Sequence, residues 1–195
     1  MGVVSKLLRR AASQGEASIG GALASLDPNP NHYTVAGAAM AAGSAASAYL
    51  GEPLVAVALA AVSALLDAVD GMVARAAGRV SRFGAALDSV LDRVSDFMYH
   101  AALMFMGVSP PLVMASLGGS MIVPYVRAKG EALGVAMAGV GLAERGERTL
   151  VLLASMAAAA AGFIGAAEVL VGLAAAASWL TAAQRVLALA RSIRG

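Results

Sequence analysis

The sequence predicts an all-α integral membrane protein with six transmembrane helices and an N-terminal juxtamembrane amphipathic helix. Three observations carry this reading. The 195 residues are 59% hydrophobic and 13% charged, with a mean hydropathy of +0.77, outside the range of an ordinary water-soluble domain. Turn residues and charges divide the chain into six apolar stretches near the ~20 residues that cross a bilayer. The cations, finally, are confined to alternate connections.

Taken from the N-terminus, Met1 to Ala12 carries Lys6, Arg9 and Arg10 but lacks the uninterrupted apolar stretch and cleavage site of a signal peptide, so it is expected to be retained. Val4, Leu7, Leu8 and Ala11 recur at helical spacing beside those cations, the pattern of a short helix lying on the bilayer surface. Spans follow near 34–50, 53–74, 84–107, 110–129, 149–164 and 167–190. All 14 Lys and Arg lie in the N-terminal segment, around the junctions of spans 2–3 and 4–5, or near the C-terminus. The other connections, Gly51-Glu52, Gly107 to Pro111 and Gly165 to Glu168, hold none. The positive-inside rule then puts both termini and the two long connections in the cytoplasm of a multi-pass plasma-membrane protein, and it demands an even number of spans. Ala and Gly, including the run Ala157 to Ala161, give the close-packed faces on which helices meet in lipid. The whole chain, 1–195, reads as one domain, with 1–30 a juxtamembrane segment and about 34–190 the six-helix core. The absence of Cys excludes disulfide and thiolate-metal chemistry.

Of the six Asp, five (Asp67, Asp70, Asp88, Asp92 and Asp96) fall within thirty residues at the cytoplasmic ends of spans 2 and 3. On helices, Asp67 and Asp70 are i,i+3 neighbours and Asp88, Asp92 and Asp96 form an i,i+4 row, so each set shares a face. An Asp at mid-membrane costs roughly 2.5–3.5 kcal/mol, so four unpaired at depth would cost on the order of 10 kcal/mol. Too few cations lie among the helices to offset that, and carboxylate oxygens favour hard ions such as Mg²⁺, Mn²⁺ or Ca²⁺. Four carboxylates would neutralise two divalent ions.

From Asp67 the sequence DAVDGMVARAAGRVSRFGAALDSVLD fits D-x₂-D-G-x₂-A-R-x₈-G-x₃-D-x₃-D at every fixed position. It resembles the signature of the CDP-alcohol phosphotransferase family. The resemblance implies transfer of a lipid-phosphate group from a CDP-lipid to an alcohol, assisted by two Mg²⁺ ions per site, with Mn²⁺ as the alternative. It implies Asp67, Asp70 and Asp88 as metal ligands and Asp92 as either a fourth ligand or the general base. For the CDP-lipid it implies Asp67 together with Gly71, Ala74 and Gly84, whose small size leaves room for the nucleotide, and Arg75, whose fork suits the diphosphate. Ser81, in the loop, is read as a further donor to phosphate or as a solvated loop residue. Pro30-Asn31-His32-Tyr33-Thr34 resembles the family's Pro-Asn-x-x-Thr opening, so Asn31 and Thr34 are read as covering the nucleotide pocket or as helix caps. Asp96 and Arg93 are read as pairing with neighbours, while His32, His100 and Trp179 receive no functional role.

The acceptor must be read from the later helices. Arg127, Lys129, Arg145, Arg148 and Arg185 gather at cytoplasmic ends, and the segments Tyr125-x-Arg127-x-Lys129-x-Glu131 and Glu144-Arg145-x-Glu147-Arg148 resemble those of the inositol-phosphate-using branch. The alternative is that these cations serve orientation and helix pairing, as an i,i+4 pair of Glu144 and Arg148 would. The order Arg then Lys, where bacterial members of that branch have Lys then Arg, leaves open which one grips the phosphate. The expected reaction is CDP-archaeol or CDP-diacylglycerol plus inositol 1-phosphate giving the lipid inositol phosphate and CMP. Glycerol 3-phosphate is the rival acceptor, and a metal-ion transporter built on the Asp set is the rival of another class. Membrane lipids and a second copy of the chain, as a homodimer, are the expected partners, and no nucleic acid is expected.

Overall fold

The computed structural model describes residues 3–137, 139–142 and 144–194, with the side chains of 3–14 and of Arg194 left aside. Among the described residues there are helices and no strand: α1 (Val3–Leu26), α2 (Pro30–Tyr49), α3 (Pro53–Ala76), α4 (Arg82–Phe105), α5 (Pro110–Ala132), α6 (Arg145–Ala160) and α7 (Ile164–Arg194). Proline opens α2, α3 and α5, where a missing N–H costs nothing and φ is already helical. Gly51 at φ +80° and Gly107 at φ +91° supply the left-handed residue that turns the chain out of α2 and α4.

Helices α2 to α7 match the six apolar stretches. The last turn falls earlier than expected, at 161–163, because Gly162 breaks the chain while Gly165 continues as helix in α7. On length and composition, Pro53–Ala76 and Ile164–Ile193 are, among the described residues, the two helices apolar enough to cross a membrane. The others miss that standard for visible reasons: α4 carries Asp88, Asp92, Arg93 and Asp96, and α6 has 16 residues, about 24 Å of helix. The expected amphipathic pattern of Val4, Lys6, Leu7, Leu8, Arg9, Arg10 and Ala11 rests on side chains outside the described residues. The helix backbone itself runs on to Leu26.

The chain forms two compact units, one from residues up to Met40 with Val62–Ser95, the other from Ala41–Ala61 with Asp96–Gly195. In the first, small residues bring backbones together. Ser63 Oγ donates to the Gly37 carbonyl at 2.7 Å, and a Cβ on Gly20 of α1 would stand 2.7 Å from the Met72 carbonyl oxygen of α3. Tyr33 donates to the Leu23 carbonyl at 3.0 Å, fixing the corner between α1 and α2.

The second unit holds a core of Ala41, Ala45, Ala56, Ala60, Tyr99, Leu103, Leu152, Met156 and Val171. Ser44 donates to the Ala56 carbonyl at 2.7 Å, where alanine rows let α2 and α3 approach. His100 is buried, with Nδ1 at 2.6 Å from the Asp96 carbonyl and Nε2 at 2.9 Å from Ser116 Oγ, and thus joins α4 to α5. Trp179, to which the sequence assigns nothing, lies over Gly118 and donates to the Ala115 carbonyl at 2.9 Å. The glycine pair on α5 is a seat for α7.

Candidate functional site

The site in the first unit begins with a corner. Asp27 opens the connection after α1; its Oδ1 accepts the Asn29 N–H at 2.9 Å and its Oδ2 meets His32 Nδ1 at 2.6 Å. The Asn29 N–H, then His32, hold the Asp27 carboxyl below the usual carboxylate range. Asn29 Oδ1 accepts the Asn31 N–H at 3.2 Å, so the cap of α2 is Asn29. Asn31 and Thr34 therefore lie inside the helix, and the capping reading of these two is set aside. Thr34 is buried and reaches Asp70 Oδ2 at 2.7 Å, with the Pro30 carbonyl at 3.2 Å.

The helical spacing expected of the carboxylates is realised on α3 and α4. Asp67, Asp88 and Asp92 are half-buried, and one ligand oxygen from each lies within 4.8 Å of the others. Two oxygens on opposite sides of one hard divalent ion are separated by roughly 4–5 Å, so this donor set fits such an ion with little movement. The fourth expected ligand, Asp70, stands outside this trio, held by Thr34 and exposed to the charges of Asp88 and Asp67. Arg93 Nη1 donates to Asp92 Oδ2 at 3.1 Å and to the Ser89 carbonyl at 2.7 Å, which fixes the Asp92 carboxylate and bears out the expected pairing of Arg93.

Beside the trio opens a cavity of about 430 Å³, the size of a small-molecule site. Asn31, Thr34, Asp70, Gly71, Ala74, Arg75, Ser81, Gly84 and Asp88 line it. Every residue the resemblance implies for the CDP-lipid is thus present except Asp67, which with Asp92 and Thr34 lines a second, much smaller recess. The glycine requirement is visible at Gly84, where a Cβ would come 3.0 Å from Ser81 Oγ and 3.2 Å from Asn31 Oδ1. Ser81 caps α4 by accepting the Gly84 N–H at 2.9 Å, so its own proton is directed elsewhere. Arg75 is exposed and pairs with Glu16 of α1 at 3.4 Å. Arg79 also lines the cavity, although the sequence reading passed over it as one of the eight unspecified positions of the motif. Its position two residues from Ser81 was the available signal.

The five cations read as an acceptor site belong to the second unit and divide there into two kinds. Arg127 and Lys129 are exposed, the former paired with Glu131 at 2.9 Å. Arg145 approaches Asp96 Oδ1 at 3.6 Å, so Asp96 does pair with a neighbour. Arg148 and Arg185, by contrast, are buried, 6% and 7% exposed. The reason at Arg185 is that Nε and Nη1 donate to the carbonyls of Val140 and Val123, at 2.8 and 2.9 Å. Glu144 is used in a capping box with Glu147 at the start of α6.

The sequence profile of the CDP-alcohol phosphatidyltransferase family matches residues 28–190. The chain is 43% identical, over 194 residues covering 100% of both proteins, to an archaetidylinositol phosphate synthase of Aeropyrum pernix. It is 37% identical to that of Pyrococcus horikoshii, over 86% of this chain and 87% of the relative. Its fold is similar to the crystal structure of Mycobacterium tuberculosis phosphatidylinositol phosphate synthase with CDP-DAG bound, at a TM-score of 0.75 and 29% identity, covering 89% of this chain and 92% of that one. The same enzyme in complex with manganese and citrate also gives a TM-score of 0.75 and 29% identity, over 89% and 88% of the two chains. With a motif complete at every fixed position, its carboxylates drawn together beside a cavity of small-molecule size, and relatives aligned along the chain, the protein is an enzyme: it belongs to the CDP-alcohol phosphatidyltransferase family.

Proposed function

We propose that this enzyme transfers the lipid-phosphate group of a CDP-lipid, CDP-archaeol or CDP-diacylglycerol, to inositol 1-phosphate and releases CMP. The observation that carries the chemistry is the trio Asp67, Asp88 and Asp92 against the cavity lined by Gly71, Arg75 and Gly84. The acceptor and the preference for an ether-lipid donor are supported by the archaeal relatives, both named as archaetidylinositol phosphate synthases.

In this reading Asp67, Asp70, Asp88 and Asp92 hold two divalent ions, Mg²⁺ in the first place and Mn²⁺ as the substitute. When bound, such ions polarise the transferring phosphoryl group and offset charge on the departing CMP. The protein's own residues do the rest. Arg75, released from Glu16, faces the diphosphate, and Arg79 adds a second cation on the same wall. Asn31, Ala74, Gly71, Gly84 and Ser81 receive the nucleotide against backbone. The acceptor hydroxyl oxygen forms a bond to the lipid-bearing phosphorus while the bond from that phosphorus to the CMP oxygen breaks. Asp92 takes the hydroxyl proton or serves as the fourth ligand; Arg93 holds its carboxylate in one orientation either way. Arg127, Lys129, Arg145, Arg148 and Arg185 meet the acceptor's phosphate, which brings about −1.5 to −2 charges at neutral pH. Lys129, exposed at the end of α5, and Arg127 remain alternatives for the first contact.

We further propose that α2 to α7 all span the plasma membrane, with both termini and the active site cytoplasmic and α1 on the bilayer surface. The cation-free turns at 50–52, 106–109 and 161–163 support this orientation. The chain is one functional domain, because α2, α3 and α4 each contribute to both compact units without a break. It works as a homodimer among membrane lipids.

The decisive experiment incubates the purified enzyme with a CDP-lipid, Mg²⁺ and a panel of alcohols and measures CMP release. Inositol 1-phosphate is expected to support release and free inositol is not. Faster turnover with glycerol 3-phosphate, or with free inositol, would overturn the acceptor assignment.

A further inference from the structure

Arg145 and Arg148 stand in the first turn of α6, at the positive end of a helix dipole, where two cations together are disfavoured. Holding them there takes a counter-charge. Glu144 and Glu147 are engaged with each other's backbone in the capping box. The acid that faces the arginines comes instead from α4. Asp96 Oδ1 lies 3.6 Å from Arg145 Nε, and the side chains of Asp96 and Arg145 are 6% and 21% exposed. That separation is longer than a hydrogen bond, so the attraction is Coulombic, and shielding from water strengthens it. Arg148 is close as well, because His100, one turn beyond Asp96, feels the charges of both Asp96 and Arg148.

Asp96 is itself firmly seated. Its carbonyl lies 2.6 Å from His100 Nδ1, and His100 Nε2 lies 2.9 Å from Ser116 Oγ, with all three residues buried. The imidazole thereby joins α4 to α5 at the level of Asp96. The first turn of α6 follows the connection after α5, and the pair of Asp96 and Arg145 relates it to that fixed point.

We propose that Asp96 is a positioning residue for the acceptor: its carboxylate, anchored on α4, fixes the Arg145 guanidinium and with it the first turn of α6, so that Arg145 and Arg148 meet the acceptor's phosphate in one orientation. Asp96 touches no reacting atom in this role. The inference rests on the reading that the acceptor carries a phosphate and meets these cations. It gives a reason for an acid among phosphate-binding arginines. By charge alone Asp96 repels the phosphate, and its removal would tighten binding. As a positioning group it has the opposite effect, and its removal weakens binding. The sign of the change separates the two.

The full-length enzyme is assayed by steady-state CMP release with inositol 1-phosphate varied, then with CDP-lipid varied. Wild type is compared with Asp96→Asn, Asp96→Glu, Arg145→Gln and the double variant Asp96→Asn with Arg145→Gln. Asp96→Asn should raise the acceptor KM by roughly 10-fold or more, approaching the loss of an arginine–phosphate contact. The CDP-lipid KM should stay within about 2-fold of wild type, since the donor does not meet these residues. Asp96→Glu keeps the charge and moves it by one methylene, and should raise the acceptor KM less than Asp96→Asn does. In the double variant the acceptor KM should stay within about 3-fold of the larger single loss, because groups that act through one contact are not additive. An acceptor KM lowered in Asp96→Asn would mean that Asp96 only offsets charge. Single losses that multiply in the double variant would mean that it acts independently of Arg145. Either result overturns the proposal. Where Asp96→Asn fails to accumulate in the membrane, Asp96→Glu decides: a raised acceptor KM with an unchanged CDP-lipid KM supports the positioning role, and a wild-type acceptor KM overturns it. A wild-type enzyme that rejects inositol 1-phosphate and uses another alcohol refutes the acceptor reading, and the same comparison run with that alcohol still decides whether Asp96 acts through Arg145.

Discussion

Replacing Thr34 by Val removes one hydroxyl from the candidate site and almost nothing else. In the native protein Thr34 Oγ1 lies 2.7 Å from Asp70 Oδ2 and 3.2 Å from the Pro30 carbonyl, and it has one proton to give. An ionised carboxylate wins that proton, because a charge-assisted bond is about twice as strong as a neutral one. Asp70 is 8% exposed, so water cannot fully replace the lost donor. A hydrogen bond to a charged group is worth about 1.5–3 kcal/mol, and the loss should fall on the ionised, metal-binding form of Asp70. Metal affinity should therefore drop roughly 10- to 150-fold. CMP release titrated with Mg²⁺ or Mn²⁺ would show the activation curve displaced to higher metal concentration, with most turnover regained at saturation. Thr34→Ser keeps the hydroxyl and should restore the curve, which separates the bond from packing of the methyl group. If Thr34→Val titrates like wild type, Thr34 does not orient Asp70, and its approach to the carboxylate has no consequence for the metal.

Asp67→Asn, Asp70→Asn and Asp88→Asn should each abolish most transfer and weaken metal binding, and EDTA should inactivate the wild type; full activity in chelator would sink the metal-assisted mechanism. Asp92→Asn should lower turnover by on the order of 10²-fold or more with CDP-lipid still bound, as for loss of a general base, and near-normal turnover would exclude Asp92 from both proposed roles. Arg145→Gln should raise the acceptor KM far more than the CDP-lipid KM, by roughly 10- to 150-fold for one charge-assisted bond. Among the cations, Arg127→Gln and Lys129→Gln should leave membrane abundance unchanged, whereas Arg148→Gln should reduce it because that side chain is buried; equal abundance in a quantitative immunoblot would count against the burial argument.

The six helices after α1 were legible because each is a long apolar stretch and because Gly and Pro mark the turns. The one displaced boundary shows the limit of that signal. Gly162 and Gly165 are equivalent as letters, and only the left-handed turn at 161–163 decides which one ends a helix. The carboxylate trio was legible for a related reason, since i,i+3 and i,i+4 spacing converts directly into shared faces. Asp70 departed from the trio because its partner, Thr34, is 36 residues away and no local pattern announces the bond. The network of Asp27, Asn29 and His32 is local by contrast, closing within six residues, and short polar turns of this kind have many uses besides shaping a site. Asp27 was the one Asp left out of the cluster, and its work is to shape the corner that delivers Asn31 and Thr34.

The two sides of the chemistry were not equally readable, and the difference is one of energetic ambiguity. An Asp at a helix end in a membrane has few uses that offset its cost, so five of them close in sequence narrow the possibilities to an ion site. An Arg at a cytoplasmic helix end has several. It satisfies the orientation rule, it pairs with an acid on its own helix, it ties backbone carbonyls together, and it can bind an anion. The five cations here illustrate nearly the whole range: Arg127 pairs with Glu131 one turn away, Arg145 approaches Asp96 on another helix, and Arg185 spans two carbonyls. Their charge is identical in the sequence, and what separates them is the direction of each guanidinium and what it meets. Substitutions that keep the charge and change the geometry, such as Arg185→Lys, therefore separate direction from charge, which charge removal alone does not. A lysine brings the same charge to a phosphate but cannot offer the planar fork that meets two carbonyls.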